Sequence, residues 1–512
     1  MSTTKNIIRK QIIDLQFNGN VEAFPLQKQV SEWCKDKLVP AIEMALEGLG
    51  QGEDYIKIDK ISIDTSIIDP TVWGDALLID IIEQLTSEIS ATVNIQQPTA
   101  AAQRTSGEAG FRDLLFYFLQ NGFLPWWSTI NSKPDFSKRL EEWLINSPQT
   151  SADSLFHLLQ HPAVQKRIAT QFSDKAFAYY IAGSVKIPPH NAEAIVSDVF
   201  EIQHAFFSNT NIISKDFSSI LFNKQLNSPV QNVLINTIRE WLQNLAGTDN
   251  LNVAKLQSAS LKSTEFRQVL NTFEKKSGID SNNAAMRQST SKNKREIKSE
   301  FIKKELNENA EKNVDGKQNE TVKPSMDEGI SNRKNVGDFS KDIAEELKNG
   351  IYINNAGLVI AASFLPLFFE RLLIAKDDSI LDFDAAVCLT NFLATGNETM
   401  AEFELVLPKI LCGLSPDSVI NTNIEFNDAW KKEAEDLILS IIEYWSILKN
   451  TSVEGLRETF LQREGKLMHE NGEWLLQVAP KQFDMLLGQL PWNISIIKLS
   501  WMPEMLKTEW AG

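Results

Sequence analysis

Between Lys275 and Gly350 the chain loses the residues that build a core. This stretch holds 16 Lys/Arg and 14 Asp/Glu, no Trp or Tyr, and only Phe301 and Phe339 among the phenylalanines. Ordering one residue's backbone costs roughly 1–2 kcal/mol, and a stretch this poor in apolar area cannot offset that. It is predicted to be a charged disordered linker over residues 271–349, with a transient helix at most around Lys292–Glu308. No single fold can run through it, so the remainder has to fold as two ordered arms, residues 1–270 and 350–512.

Charge sharpens the division. The stretch itself is +2, so of the chain's net −16 the remainder carries −18. Nucleic-acid binding needs concentrated Lys/Arg to neutralise phosphates, and anionic lipid needs the same; acidic arms argue against both. With 43% hydrophobic residues over 512 positions, the arms can bury sizeable cores, about three domains' worth. Cys34, Cys388 and Cys412 are too few for a disulfide framework or a zinc ribbon. The opening MSTTKNIIRKQIIDL mixes Lys and Arg with isoleucine and does not read as a secretory signal. The most apolar run extends only from Gly357 to Phe369. A membrane-spanning helix needs about 20 consecutive apolar residues, so no membrane insertion is expected.

Periodicity gives a fold that is mainly α with small β elements (α+β). The predicted domains are an α+β domain at 1–105, a helical domain at 106–270, and a mostly helical domain with a small hairpin at 350–512. In the first, Val30, Trp33, Cys34 and Lys37 follow helical spacing until Pro40, which is expected to break or restart the helix. Tyr55 to Asp64 alternates like a strand, with a parity flip between Ile58 and Ile61 that suggests a bulge or two short strands. Trp73, Leu77, Ile81, Leu85 and Ile89 form a helical stripe, with Asp69-Pro70 as its start signal. A polar stretch near residues 95–107 then acts as separator. Phe111, Leu114, Leu115, Phe118 and Leu119 open the helical domain, and Pro148, Pro162, Pro188 and Pro189 mark helix edges within it. In the last domain Leu437, Ile441, Trp445 and Leu448 share a helix face. Asn471-Gly472 between two strand-like runs is a strong hairpin signal, and Ile494 to Leu499 offers a third strand.

Little in the chain points to catalysis. His157 and His161 stand at zinc-holding i, i+4 spacing, but no Glu lies between them, and Pro162 reads as the stop of their helix. Gly48-Leu-Gly-Gln-Gly52 follows a helix and precedes a strand, the reverse of a dinucleotide loop, and reads as a helix cap. Adjacent acids such as Glu141-Glu142 and Asp377-Asp378 diverge on a helix. The basic cluster from Lys292 to Lys304 is interleaved with Glu296 and Glu300 and reads as solvated. No catalytic, metal or cofactor residue is expected.

The distinctive chemistry is aromatic. Gly122-Phe-Leu-Pro-Trp126 is echoed by Gly488-Gln-Leu-Pro-Trp492, each after an apolar helical run. Both read as helix stops: a left-handed Gly, a Pro that cannot continue, and a Trp folded back on the last turn. Half of the twelve Trp fall after Asn427. They fill a core, or some anchor a protein partner, where Trp is enriched. The partner-binding candidates are Trp126, Trp127, Trp492, Trp501 and Trp510.

Several segments resemble the tape-measure family of contractile injection systems. In the C-terminal arm these are Asn355-Ala-Gly-Leu-Val359, Phe364-Leu-Pro366, Phe369-Glu-Arg-Leu372, Phe392-Leu-Ala-Thr-Gly396 and Glu404-Leu-Val-Leu-Pro-Lys-Ile-Leu-Cys-Gly413. Gly455-Leu-Arg457, Phe460-Leu-Gln-Arg-Glu-Gly465 and the ending with Phe483-Asp484, Leu490-Pro-Trp492, Trp501-Met502 and Trp510 continue the series. Near the N-terminus, Ile58-Asp-Lys-Ile-Ser-Ile63 and Phe118 through Trp127 are similar as well. Ala361-Ala-Ser363 departs from the Leu-His-Pro-like residues expected there. The resemblance covers roughly 1–130 and 350–512. It implies a non-enzymatic assembly protein of a phage-tail-like particle, acting in tail tube length control. It also implies tail tube, baseplate or cap proteins as partners, and assembly in the cytoplasm with a place within the particle. An adaptor or chaperone-like factor that links these components without setting length is the first alternative, and a cargo or effector protein the second.

Geometry limits any ruler. As one helix at 1.5 Å per residue the whole chain reaches at most roughly 770 Å, but its 18 prolines and the linker forbid a single rod. The linker spans about 50 Å as coil and about 115 Å if fully helical.

Overall fold

The computed structural model describes residue 8 and residues 11–15, 22–47, 55–58, 60–65, 75–93, 102–105, 107–206, 213–227, 230–247, 261–270, 341–448 and 450–510. The chain is mainly helical with small sheets and forms two arms. Residues 271–340 of the expected linker lie outside the described residues. From Lys341 the chain is already helical, because Ile343 and Leu347 fall one turn apart on a face that packs into the C-terminal core.

The first helix, α1 (Ala23–Trp33), passes through a π turn (Cys34–Leu38) into α2 (Val39–Glu47). The expected break at Pro40 does not occur. Proline removes one N–H and crowds the preceding turn, and a π turn placed just before it widens the helix enough to absorb both. Helix α3 (Asp75–Val93) carries the expected stripe from Leu77 to Ile89, while Trp73, the Asp69-Pro70 start and the Gly48–Gly52 turn lie outside the described residues. Strand β1 (Tyr55–Ile58) is shorter than the Tyr55–Asp64 run, since residues 60–64 are not strand. It pairs antiparallel with β2 (Ala102–Thr105), so the polar stretch read as a separator contributes a strand.

The helical region runs α4 (Gly107–Asn121), α5 (Lys133–Asn146), α6 (Pro148–Phe156), α7 (Pro162–Gln171), α8 (Asp174–Val185), α9 (Pro189–Phe206), α10 (Ile213–Asn227) and α11 (Val230–Gly247). Pro148, Pro162 and Pro189 each open a helix, where the missing N–H has no intrahelical partner to lose. Pro162 is thus a start rather than a stop. His157 caps the end of α6, and His161 precedes α7.

The C-terminal arm begins with α12 (Lys341–Asn349) and β3 (Ile351–Ile353), followed by 3-10 turns at Ala356–Ile360 and Ala362–Phe364. Then come α13 (Leu365–Arg371), a small ribbon of β4 (Ala375–Lys376) and β5 (Ser379–Ile380), and α14 (Phe383–Thr395). A 3-10 turn (Glu402–Leu405) leads into α15 (Val406–Leu411), followed by α16 (Asp428–Tyr444) and α17 (Val453–Leu456). Strands β6 (Gly465–Glu470) and β7 (Glu473–Val478) form the expected hairpin, with Asn471 and Gly472 both at positive φ, 57° and 77°. The five-stranded sheet is ordered β3-β6-β7-β9-β8, with β8 at Ile496–Ile497 and β9 at Leu506–Glu509. The Ile494–Leu499 run does supply a strand, but it meets the hairpin only through β9, which lies parallel to β7. The unpaired half of β6 is covered by α12, where Lys348 pairs with Glu470 at 3.3 Å; covering an open edge keeps it from pairing with other chains.

The segments quoted from the C-terminal arm pack on one another. A Cβ built on Gly357 would sit 1.7 Å from the Phe460 carbonyl oxygen, so only glycine lets those two segments meet. Among the described residues three apolar cores result. One spans the C-terminal arm. A second, around α4 to α8, holds Leu114, Phe118, Phe136 and Ile168, and a third lies between α8 and α11 around Trp241 and Phe266.

Candidate functional site

Helix α7 has the sequence PAVQKRIATQ, and its apolar face at i, i+3, i+4, i+7 reads Val164, Arg167, Ile168, Gln171. Two polar side chains stand where the core face should be apolar, and all four residues are buried. Burying an unpaired guanidinium is prohibitively costly; the fold resolves this by bringing a carboxylate from the other arm. Arg167 Nε donates to both oxygens of Glu402 at 3.1 Å, and Nη2 donates to Glu402 Oε1 at 3.1 Å. Nη2 also donates to the Asp417 carbonyl at 2.5 Å. Nη1 reaches the carbonyls of Leu119 (2.9 Å) and Gln120 (3.0 Å) at the end of α4. All five guanidinium donors are used.

Glu402 is shared. Lys409 Nζ donates to its Oε1 at 2.8 Å and to the Pro416 carbonyl at 2.9 Å. Arg167, Glu402 and Lys409 each have 0% side-chain exposure. Burial lowers the Lys409 pKa, a shift that Arg167 reinforces and Glu402 opposes. The Glu402 backbone N–H is held by Gln171 Oε1 at 2.9 Å, and Gln171 Nε2 reaches Thr422 Oγ1 at 3.1 Å.

The turn that delivers Glu402 delivers more. Phe403 enters the N-terminal helical core and meets Phe118 (5.7 Å) and Phe136 (5.6 Å) edge-on. Ala401 lines the same core. Glu404 Oε2 accepts the Ala401 N–H at 2.6 Å. Burial raises the Glu404 pKa against the pull of that bond and of Lys133, and burial lowers that of Lys133. In the opposite direction, Phe123 of the N-terminal arm is buried in the C-terminal core. Each core therefore borrows one phenylalanine from the other arm.

Gly122 makes this possible. It ends α4 at φ +77°, with its N–H on the Phe118 carbonyl at 2.7 Å. A Cβ there would lie 2.5 Å from Arg167 Nη2 and 2.7 Å from Glu402 Oε1. The first helix-stop motif thus holds. Its echo does not: Gly488 lies inside a 3-10 helix (Gln482–Gln489), has no positive φ, and faces open space.

The five tryptophans named from sequence are all half-buried. Trp127 packs on the α4–α8 core, with Trp126 beside it in sequence. Trp492 donates to the Ile360 carbonyl at 3.0 Å and stands edge-on to Phe364 at 5.0 Å. Trp501 donates to the Leu411 carbonyl at 2.8 Å and lies 5.8 Å from Phe369, bracing the end of the helix that carries Lys409. Trp510 donates to Asp484 Oδ2 at 3.0 Å. Arg463 sits 5.1 Å over the Trp510 ring and forks onto Asp484 at 2.7 and 2.9 Å. Trp492, Trp501 and Trp510 brace separate places in the C-terminal arm.

Sequence reading misses Arg167, Glu402, Phe403 and Lys409. Two signals are present: Arg167 and Gln171 on an otherwise apolar helix face, and Lys409 alone in the apolar run Leu405–Cys412. The acid partner comes from the far side of the linker and carries no local mark.

Among the described residues no group of three or more His, Cys, Asp or Glu is placed to hold a metal, and no helix is long and apolar enough to cross a membrane. Burial pushes the Cys412 thiol up to about 12 and raises that of Cys388 as well. The buried Arg167–Glu402–Lys409 clamp is a polar centre that holds the two arms together. A family model described as contractile injection system tape measure protein matches residues 5–510, and the chain belongs to that family. It is therefore a structural, length-controlling component of an injection particle. No curated protein and no solved structure matches the chain.

Proposed function

We propose that this protein controls tail length without enzymatic chemistry, as a folded two-armed body that engages tail tube, baseplate or cap proteins during assembly in the cytoplasm. Its working units are residues 1–105, 106–270 and 350–512. The observation that carries this reading is the direct docking of the arms through Arg167, Glu402 and Phe403, in a chain whose family match runs nearly end to end. Arms that touch do not need the span of residues 271–340 to set their separation. The indole N–H groups of Trp492, Trp501 and Trp510 are committed to the chain itself. Trp126, Trp127, Trp492, Trp501 and Trp510 are each only half-buried, and the part of each ring that reaches the surface is what would meet a partner.

The test is capture of tagged protein from cells assembling particles, with identification of the tube, baseplate or cap proteins retained. Trp492→Ala and Trp501→Ala are expected to lose that retention while the arms stay folded by circular dichroism. Unchanged retention by both variants would remove Trp492 and Trp501 from the proposal.

A further inference from the structure

The arm junction divides unequally along the chain. Glu402 and Lys409 both belong to the C-terminal arm and pair with each other within it. Arg167 belongs to the N-terminal arm, and its Nη1 is held there by the Leu119 and Gln120 carbonyls independently of the C-terminal arm. Its Nε and Nη2 are the donors turned toward the visiting carboxylate. Beside them, Phe118 and Phe136 flank the place of Phe403, Gln171 offers Oε1 to a backbone N–H, and Lys133 lies near Glu404. Among the described residues, this core is built by residues 111–226 together with Ala401 and Phe403. Among the described residues, the large C-terminal core takes Phe123 alone into its buried set from the other arm, with Tyr117 packed against it.

We propose that residues 401–404, Ala-Glu-Phe-Glu, are a releasable plug and that the N-terminal arm carries a preformed socket for it. The arms then dock and undock as folded units, and the socket recognises a segment in which acids flank a phenylalanine. The inference deepens the two-armed reading above and rests on the arms being units, but it does not depend on which tail component they engage. Its charges make docking all-or-none, because a half-open junction leaves Arg167 buried without a carboxylate, and pulling Phe403 out empties a hole between two rings.

The experiment uses the full chain with a specific protease site inserted near residue 300. After cleavage the wild-type halves are expected to co-elute in size-exclusion chromatography. In the Phe403→Ala chain the cleaved halves are expected to separate, each keeping its far-ultraviolet dichroism and tryptophan emission. A synthetic peptide of residues 398–406 should then bind the separated N-terminal half, with at least tenfold weaker binding for the peptide carrying Glu402→Gln and Phe403→Ala. Three results would overturn the proposal: wild-type halves that part on cleavage, Phe403→Ala halves that stay together or unfold instead of separating, or equal binding of the two peptides.

Discussion

At the scale of single residues, the two Gly-x-Leu-Pro-Trp motifs look alike in sequence and differ in what surrounds their glycines. Gly122→Ala forces a Cβ into Arg167 and Glu402 at a positive φ. The backbone strain costs about 1–2 kcal/mol, and disturbing a buried pair costs about 3–5 kcal/mol. A loss of at least about 3 kcal/mol in denaturant unfolding is expected on that basis. Gly488→Ala meets nothing within 4 Å and is expected to stay within about 0.5 kcal/mol. Asp484 supplies a pH signature. Burial alone would raise its pKa, but the Arg463 fork, the Lys481 N–H and the Trp510 N–H outweigh that and hold it below the ordinary carboxylate value. A depressed folded pKa gives stability that is fully present above about pH 4, the unfolded value, and lost as pH falls through the folded value. Acid titration of unfolding stability should show this loss in the wild type and a smaller one in Asp484→Asn.

At the scale of elements, the hairpin turn offers the cleanest check. Asn471 and Gly472 both adopt positive φ, so Ala at both positions should cost about 2–4 kcal/mol and leave the distant helices intact. Thermal unfolding followed in the near ultraviolet measures it. That turn is legible in the sequence because its chemistry is local, as is the α4 stripe from Phe111 to Leu119, all of it buried. Pro40 misleads because a π turn outside the usual periodicity absorbs it. Strand β2 escapes notice because its pairing with β1 reaches past the whole of α3 and its own composition is polar. The sheet order is hidden for the same reason: β9 slips between β7 and β8 from the last residues of the arm. The arm junction is the least visible element, since periodicity marks a face as buried without saying which distant residue covers it.

At the scale of the whole molecule, the abrupt change in composition after Lys275 separates two arms along the chain, but in space those arms are joined. Phe403 and Phe123 are exchanged between cores, and one carboxylate is shared by cations from both sides. In the docked state the separation of the arms is set by that contact, not by the length of chain between them. On the proposed reading, length control belongs to the docked body and its partners. Electron microscopy of particles assembled with a chain lacking about half of residues 275–340 tests this most directly. The expected result is normally assembled particles of unchanged length; particles shortened in proportion to the deletion would contradict the account.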